Sequence, residues 1–87
     1  MKKLWLDEAW EEYLYWQTQD KKTLRRINLL LKDIDRNGYD CTEKPEALSG
    51  NLSGYWSVRI DSKNRIVFRI NNGNIEIIQC GSHYRDK

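Results

Sequence analysis

The chain has 87 residues, 39% hydrophobic and 11% aromatic, which suffices for one domain, 1–87, with one core and leaves no room for a second. Its 15 Lys and Arg against 13 Asp and Glu give a formal charge of +2, too even for net charge alone to point to nucleic acid. One His, two distant Cys, no acidic cluster and no glycine-rich phosphate turn set aside a metal centre and a nucleotide loop, and no cofactor is expected.

Met1-Lys2-Lys3 precedes an apolar run, Leu4-Trp5-Leu6, that Asp7 ends far too early for a signal-peptide core, and no stretch approaches membrane-spanning length. The expectation is a cytoplasmic protein with no membrane partner, in which Cys41 and Cys80 are reduced thiols and Cys80 belongs to the core. Residues 2–6 read as a short strand, and Asp7 is placed to N-cap a helix in which Trp10, Tyr13, Leu14 and Gln17 share one face. Asp20 can cap a second helix, where Leu24, Ile27, Leu31 and Ile34 recur at helical spacing and Asn37-Gly38 supplies the stop. Charge is segregated along this hairpin: residues 7–20 carry five acids and no base, residues 21–36 six bases and two acids. Such a run is most often a solvated face and less often a phosphate-contacting one.

From Tyr39 to Gly54 there is no sustained periodicity, and Pro45, Gly50 and Gly54 mark a long loop, a common place for function. Period two then begins. Trp56, Val58 and Ile60 point inward while Tyr55, Ser57 and Arg59 point outward. After the turn Asp61-Ser62-Lys63-Asn64, Ile66, Phe68 and Ile70 repeat the inward set and Arg65, Val67 and Arg69 the outward one. Asn71-Asn72-Gly73-Asn74 is a tight-hairpin signal, and Ile75 to Cys80 make the last strand. The plan is α+β, β-α-α-β-β-β, with two helices packed on one face of a small antiparallel sheet.

The chemistry-bearing residues left are Arg59, Arg65, Arg69, His83, Tyr84 and Arg85, on the sheet's outward face and the tail. Each has an ordinary reading too, since an outward Arg usually solubilises and a terminal His-Tyr pair usually packs or hangs free. Were they to converge, they would meet much of what metal-free RNA cleavage needs: cations for the charge developing on phosphorus, and a proton donor near neutral pH. Two Arg on adjacent strands can fork one phosphate.

Trp5-x-x-x-x-Trp10, Glu12-Tyr13-Leu14-Tyr15-Trp16, Lys44-Pro45-Glu46-Ala47-Leu48, the run from Asn51 through Gly54-Tyr55-Trp56-Ser57-Val58-Arg59-Ile60, Asn64-Arg65-Ile66-Val67-Phe68 and Cys80-x-x-His83-Tyr84 follow one another along the whole chain. Together they resemble the YoeB/Txe branch of the RelE toxin superfamily. The resemblance implies a RelE-like, microbial-RNase-like fold and a ribosome-dependent mRNA interferase, an endoribonuclease toxin that cuts mRNA in the A site and is held inactive by an antitoxin with an acidic segment. It leaves room for a homodimer. Position by position it implies Glu46 as general base, Arg65 as phosphate clamp, Arg59 as a second phosphate contact, His83 as general acid and Tyr84 as a stacking or positioning group. The chain departs at Ser49-Gly50, where relatives often have Lys-His, and so lacks positive charge there. Two rival readings use the same scaffold without nuclease chemistry: a gyrase-directed toxin, which lacks the Arg-Arg-His set present here, and a nucleic-acid- or protein-binding module whose basic second helix is the contact surface.

Overall fold

The computed structural model describes residues 1–82. In chain order they form β1 (Lys2–Trp5), α1 (Asp7–Gln19), α2 (Lys21–Asn37), β2 (Glu46–Ala47), β3 (Trp56–Arg59), β4 (Arg65–Asn71) and β5 (Asn74–Gly81), with 3₁₀ turns at Gly38–Asp40 and Gly50–Leu52. The strands make one sheet in the order β1-β5-β4-β3-β2. Ala9 of α1 and Ile27, Leu30, Leu31 and Ile34 of α2 share a core with Val58, Ile66, Phe68, Ile75, Ile77 and Cys80 of the sheet. Burying each large apolar side chain there contributes roughly 1.5–3 kcal/mol.

The expected α+β architecture is present, but the sheet is mixed rather than antiparallel. β1 pairs parallel with β5, as it can because the helical hairpin and the meander together supply the long crossover that a parallel pair requires. The expected loop also contains a strand: β2 pairs Glu46 with Ser57 and Ala47 with Trp56. Two residues are too few to show a period.

Local signals at α2 and the last hairpin act as their chemistry dictates. The Asp20 carboxylate accepts from the amides of Lys22 and Thr23, and Gly38 ends α2 at φ 61°. Asn72 and Gly73 both have positive φ, 54° and 76°, the pattern of a tight two-residue hairpin. At α1 the expectation needs correction. Leu6, not Asp7, is the cap residue, because its amide still bonds Ile77 at 2.9 Å and keeps it extended. Asp7 sits in the first turn, where the helix dipole favours it. The inward face of α1 is Ala9, Tyr13 and Trp16, while Trp10 and Leu14 are 41% and 37% exposed. Trp10 instead stacks on Tyr13 at the flank and meets Trp5 edge-on.

The last correction concerns β4 and β5. Val67, expected outward in the open, is fully buried, as are Ser57 and Gln79 beside it. Val67 pairs with Gln79 and Phe68 with Ile77, so Ile78 is an extra residue, a bulge that flips the alternation of β5. Cys80 thereby turns into the core, and Gln79 turns to the face that carries Arg65.

Candidate active site

That outer face is laid out in two rows by strand register. One runs Glu46, Ser57, Val67, Gln79, and the other Arg59, Arg65. Direct cross-strand partners have Cβ atoms about 4.5–5.5 Å apart, so the four-residue turn Asp61–Asn64 places Arg59 and Arg65 side by side. The turn is held by Asp61, which accepts from the amides of Lys63 and Asn64 at 2.8 Å each. Desolvation pushes the Asp61 carboxyl up, but the Asn64 side-chain amide, which donates to it at 3.0 Å, and then the two backbone amides together hold it below its usual value.

Arg65 joins the two rows. Its Nη1 donates to Glu46 Oε1 at 3.0 Å and to Ser57 Oγ at 3.1 Å. Its side chain is 25% exposed, against 69% for Glu46, so Arg65 is seated in the sheet and Glu46 stands at its rim. Arg59 is exposed. Around them lies a cavity of about 250 Å³ lined by Glu43, Lys44, Glu46, Ser57, Arg59 and Arg65. Lys44 holds φ 53° at this rim, a left-handed conformation that costs a non-glycine residue about 1 kcal/mol or more.

The structure thus brings together Glu46, Arg59 and Arg65. Arg69 is used elsewhere, paired with Glu76 at 2.5 Å and lying 5.0 Å over the Tyr55 ring. His83, Tyr84 and Arg85 lie outside the described residues. Arg26, read from sequence only as part of a basic helix face, instead forks onto the end of β3. Its Nε and Nη2 donate to the carbonyls of Ile60 and Arg59, 3.3 Å each, and Nη2 pairs with Glu43 at 3.0 Å. Ser57 had a legible signal, because alternation puts it on the same face as Arg59; Arg26, Glu43 and Lys44 had none.

Cys41 and Cys80 are buried free thiols. Burial, with Glu12 adding a smaller push, raises the Cys80 thiol to about 12. Among the described residues no group of three or more His, Cys, Asp or Glu is placed to hold a metal ion, and no helix is long and apolar enough to cross a membrane.

Residues 5–84 match the family model described as YoeB-like toxin of bacterial type II toxin-antitoxin system. The chain is 43% identical over 84 residues to toxin YoeB of Escherichia coli K12, covering 97% of this chain and 100% of that protein. Against toxin YoeB of Synechocystis the identity is 48% over 85 residues, covering 98% and 99%. Among solved structures, the YoeB/ParE toxin from Agrobacterium tumefaciens superposes with a TM-score of 0.90 at 37% identity, over 97% of this chain and 100% of that one. A chain of the YoeB-YefM complex from Staphylococcus aureus gives 0.88 at 41%, and the Staphylococcus aureus YoeB dimer 0.86 at 42%, each over 97% of this chain and 98% of the other.

Proposed function

We propose a function from one premise: the chain belongs to the family of YoeB-like toxins of bacterial type II toxin–antitoxin systems. The proposed activity is metal-independent endoribonucleolytic cleavage of mRNA in the ribosomal A site, with the ribosome requirement resting on the family resemblance. The observation that carries the chemistry is the seating of Arg65 between Glu46 and Ser57, directly opposite Arg59, in one polar cavity.

In this reading Glu46 takes the proton of the 2′-hydroxyl, and the 2′-oxygen bonds to phosphorus as the bond from phosphorus to the 5′-oxygen breaks. His83 delivers a proton to that leaving oxygen. The products are a 2′,3′-cyclic phosphate and a 5′-hydroxyl. The two bonds of Arg65 engage Nη1 alone, so the rest of its planar fork can meet a phosphate already oriented, and Arg59 adds a second cation beside it. Tyr84 is assigned to stacking or positioning of the nucleotide.

The proposed partners are ribosome-bound mRNA and a cognate antitoxin whose acidic segment covers the Arg59–Arg65 face. Staphylococcus aureus YoeB, solved both with YefM and as a dimer, supports an antitoxin partner and self-association here as well. The test is a message with one 2′-deoxy nucleotide at the scissile position, presented on programmed ribosomes. Cleavage should stop. Cutting of the deoxy message at the ribose rate overturns the reading and favours a non-catalytic binding module.

A further inference from the structure

β1 ends at Trp5, opposite Ile77, and the chain then leaves the sheet to form α1. Among the described residues, the last ones of β5 therefore run on with no strand on that side, a position where backbone groups must find other partners. Leu6 takes the carbonyl of Ile77. Beyond it, two side chains of α1 take both backbone groups of Cys80: its amide donates to Glu12 Oε1 at 2.8 Å, and its carbonyl accepts from Trp16 Nε1 at 2.9 Å. Glu12 and Trp16 are four residues apart, so they project from one helix face one turn after the other. The helix substitutes for the missing strand with side chains. Gly81 is shaped to the same arrangement, since a Cβ there would lie 3.0 Å from Glu12 Oε2 and 3.2 Å from its Cδ.

This anchored point is next to the candidate site. Gly81 is the register partner of Arg65, and His83 follows it two residues later in the sequence. We propose that Glu12 and Trp16 are positioning residues for cleavage: by holding the amide and carbonyl of Cys80 they fix where the chain leaves the sheet, and so where His83 can act. The proposal rests on the reading of His83 as the general acid.

Glu12→Gln keeps an oxygen to accept from the Cys80 amide, whereas Glu12→Ala removes it, and Trp16→Phe keeps a ring but no donor. In the full chain on programmed ribosomes, Glu12→Ala and Trp16→Phe should each slow single-turnover cleavage by about tenfold or more, the scale of a small misplacement, while Glu12→Gln stays near wild type. Amide hydrogen exchange at Cys80 should quicken in Glu12→Ala and not in Glu12→Gln. In a His83→Gln background Glu12→Ala should cost little further, because both changes remove one contribution. A folded Glu12→Ala protein with the wild-type rate or unchanged Cys80 exchange overturns the proposal, as does a full additional loss in the His83→Gln background, which marks a general structural role. A wild-type rate in His83→Gln alone instead overturns the general-acid reading, and with it the coupling proposed here.

Discussion

Arg65 carries the largest share of the proposed chemistry and a small share of the fold, because its partners are an exposed carboxylate and one hydroxyl on a face away from the core. Arg65→Ala should therefore abolish growth arrest on induced expression and lower single-turnover cleavage by about a hundredfold or more. Its urea midpoint should stay near wild type. A folded Arg65→Ala protein that remains equally toxic removes this residue from the site. Cys80 is the opposite case, a core residue three positions before His83. Its thiol is raised from 9.0 to about 12, chiefly by burial, so the folded state favours the neutral form. The associated stability is fully present below the unfolded value of 9.0 and is lost as pH rises from there towards 12. Wild type minus Cys80→Ala, measured by urea unfolding at stepped pH, should narrow over that window; a constant difference contradicts the assignment.

At the scale of elements, α2 is the piece most firmly specified by its own residues. Asp20 accepts from the Thr23 hydroxyl at 2.8 Å and from the amides of Thr23 and Lys22, and these bonds, the Thr23 ones foremost, lower its carboxyl below 3.8. A lowered carboxylate contributes stability that is present above its unfolded value and is lost as pH falls through the folded one. Asp20→Ala should thus lower the urea midpoint at neutral pH without changing the slope, and the gap to wild type should close below about pH 3.8, the unfolded value. A gap that persists in acid means the cap acts through packing rather than charge. α1 has no such local definition. Ala9, Tyr13 and Trp16 face inward because they meet the core and β5, and apolar spacing alone selected a face that Trp10 and Leu14 leave largely in solvent. β2 shows the same limit, since Glu46 was identified through family resemblance and its strand through pairing with β3.

For the whole molecule, a net charge of +2 hides a local concentration of Arg59, Arg65 and Lys44 around one cavity, offset by Glu43 and Glu46. Ser49 is exposed just after β2, so Ser49→Lys should add a phosphate contact, strengthening binding to programmed ribosomes at low salt and steepening the dependence of log affinity on log salt by about 0.7–0.9. Gly50→His should do less: nothing crowds that position, but its φ of 64° strains a side chain. An unchanged salt slope in Ser49→Lys removes position 49 from the RNA-facing surface. Much of this architecture was already decided by local chemistry. Asn72-Gly73 can adopt the positive φ of a tight hairpin, Asp20 can satisfy open helix amides, and alternation puts Ser57 with Arg59 and Arg65 with Val67, whatever the rest of the chain does. Tertiary structure alone decided that β1 runs parallel to β5, that Ile78 bulges and sends Gln79 to the outer face, that Val67 is buried, that Arg26 holds the end of β3, and that Glu12 and Trp16 hold Cys80. Each of these joins groups tens of residues apart, or turns on one extra residue in a strand. A period reports which side chains share a face, but not which distant backbone group that face must satisfy.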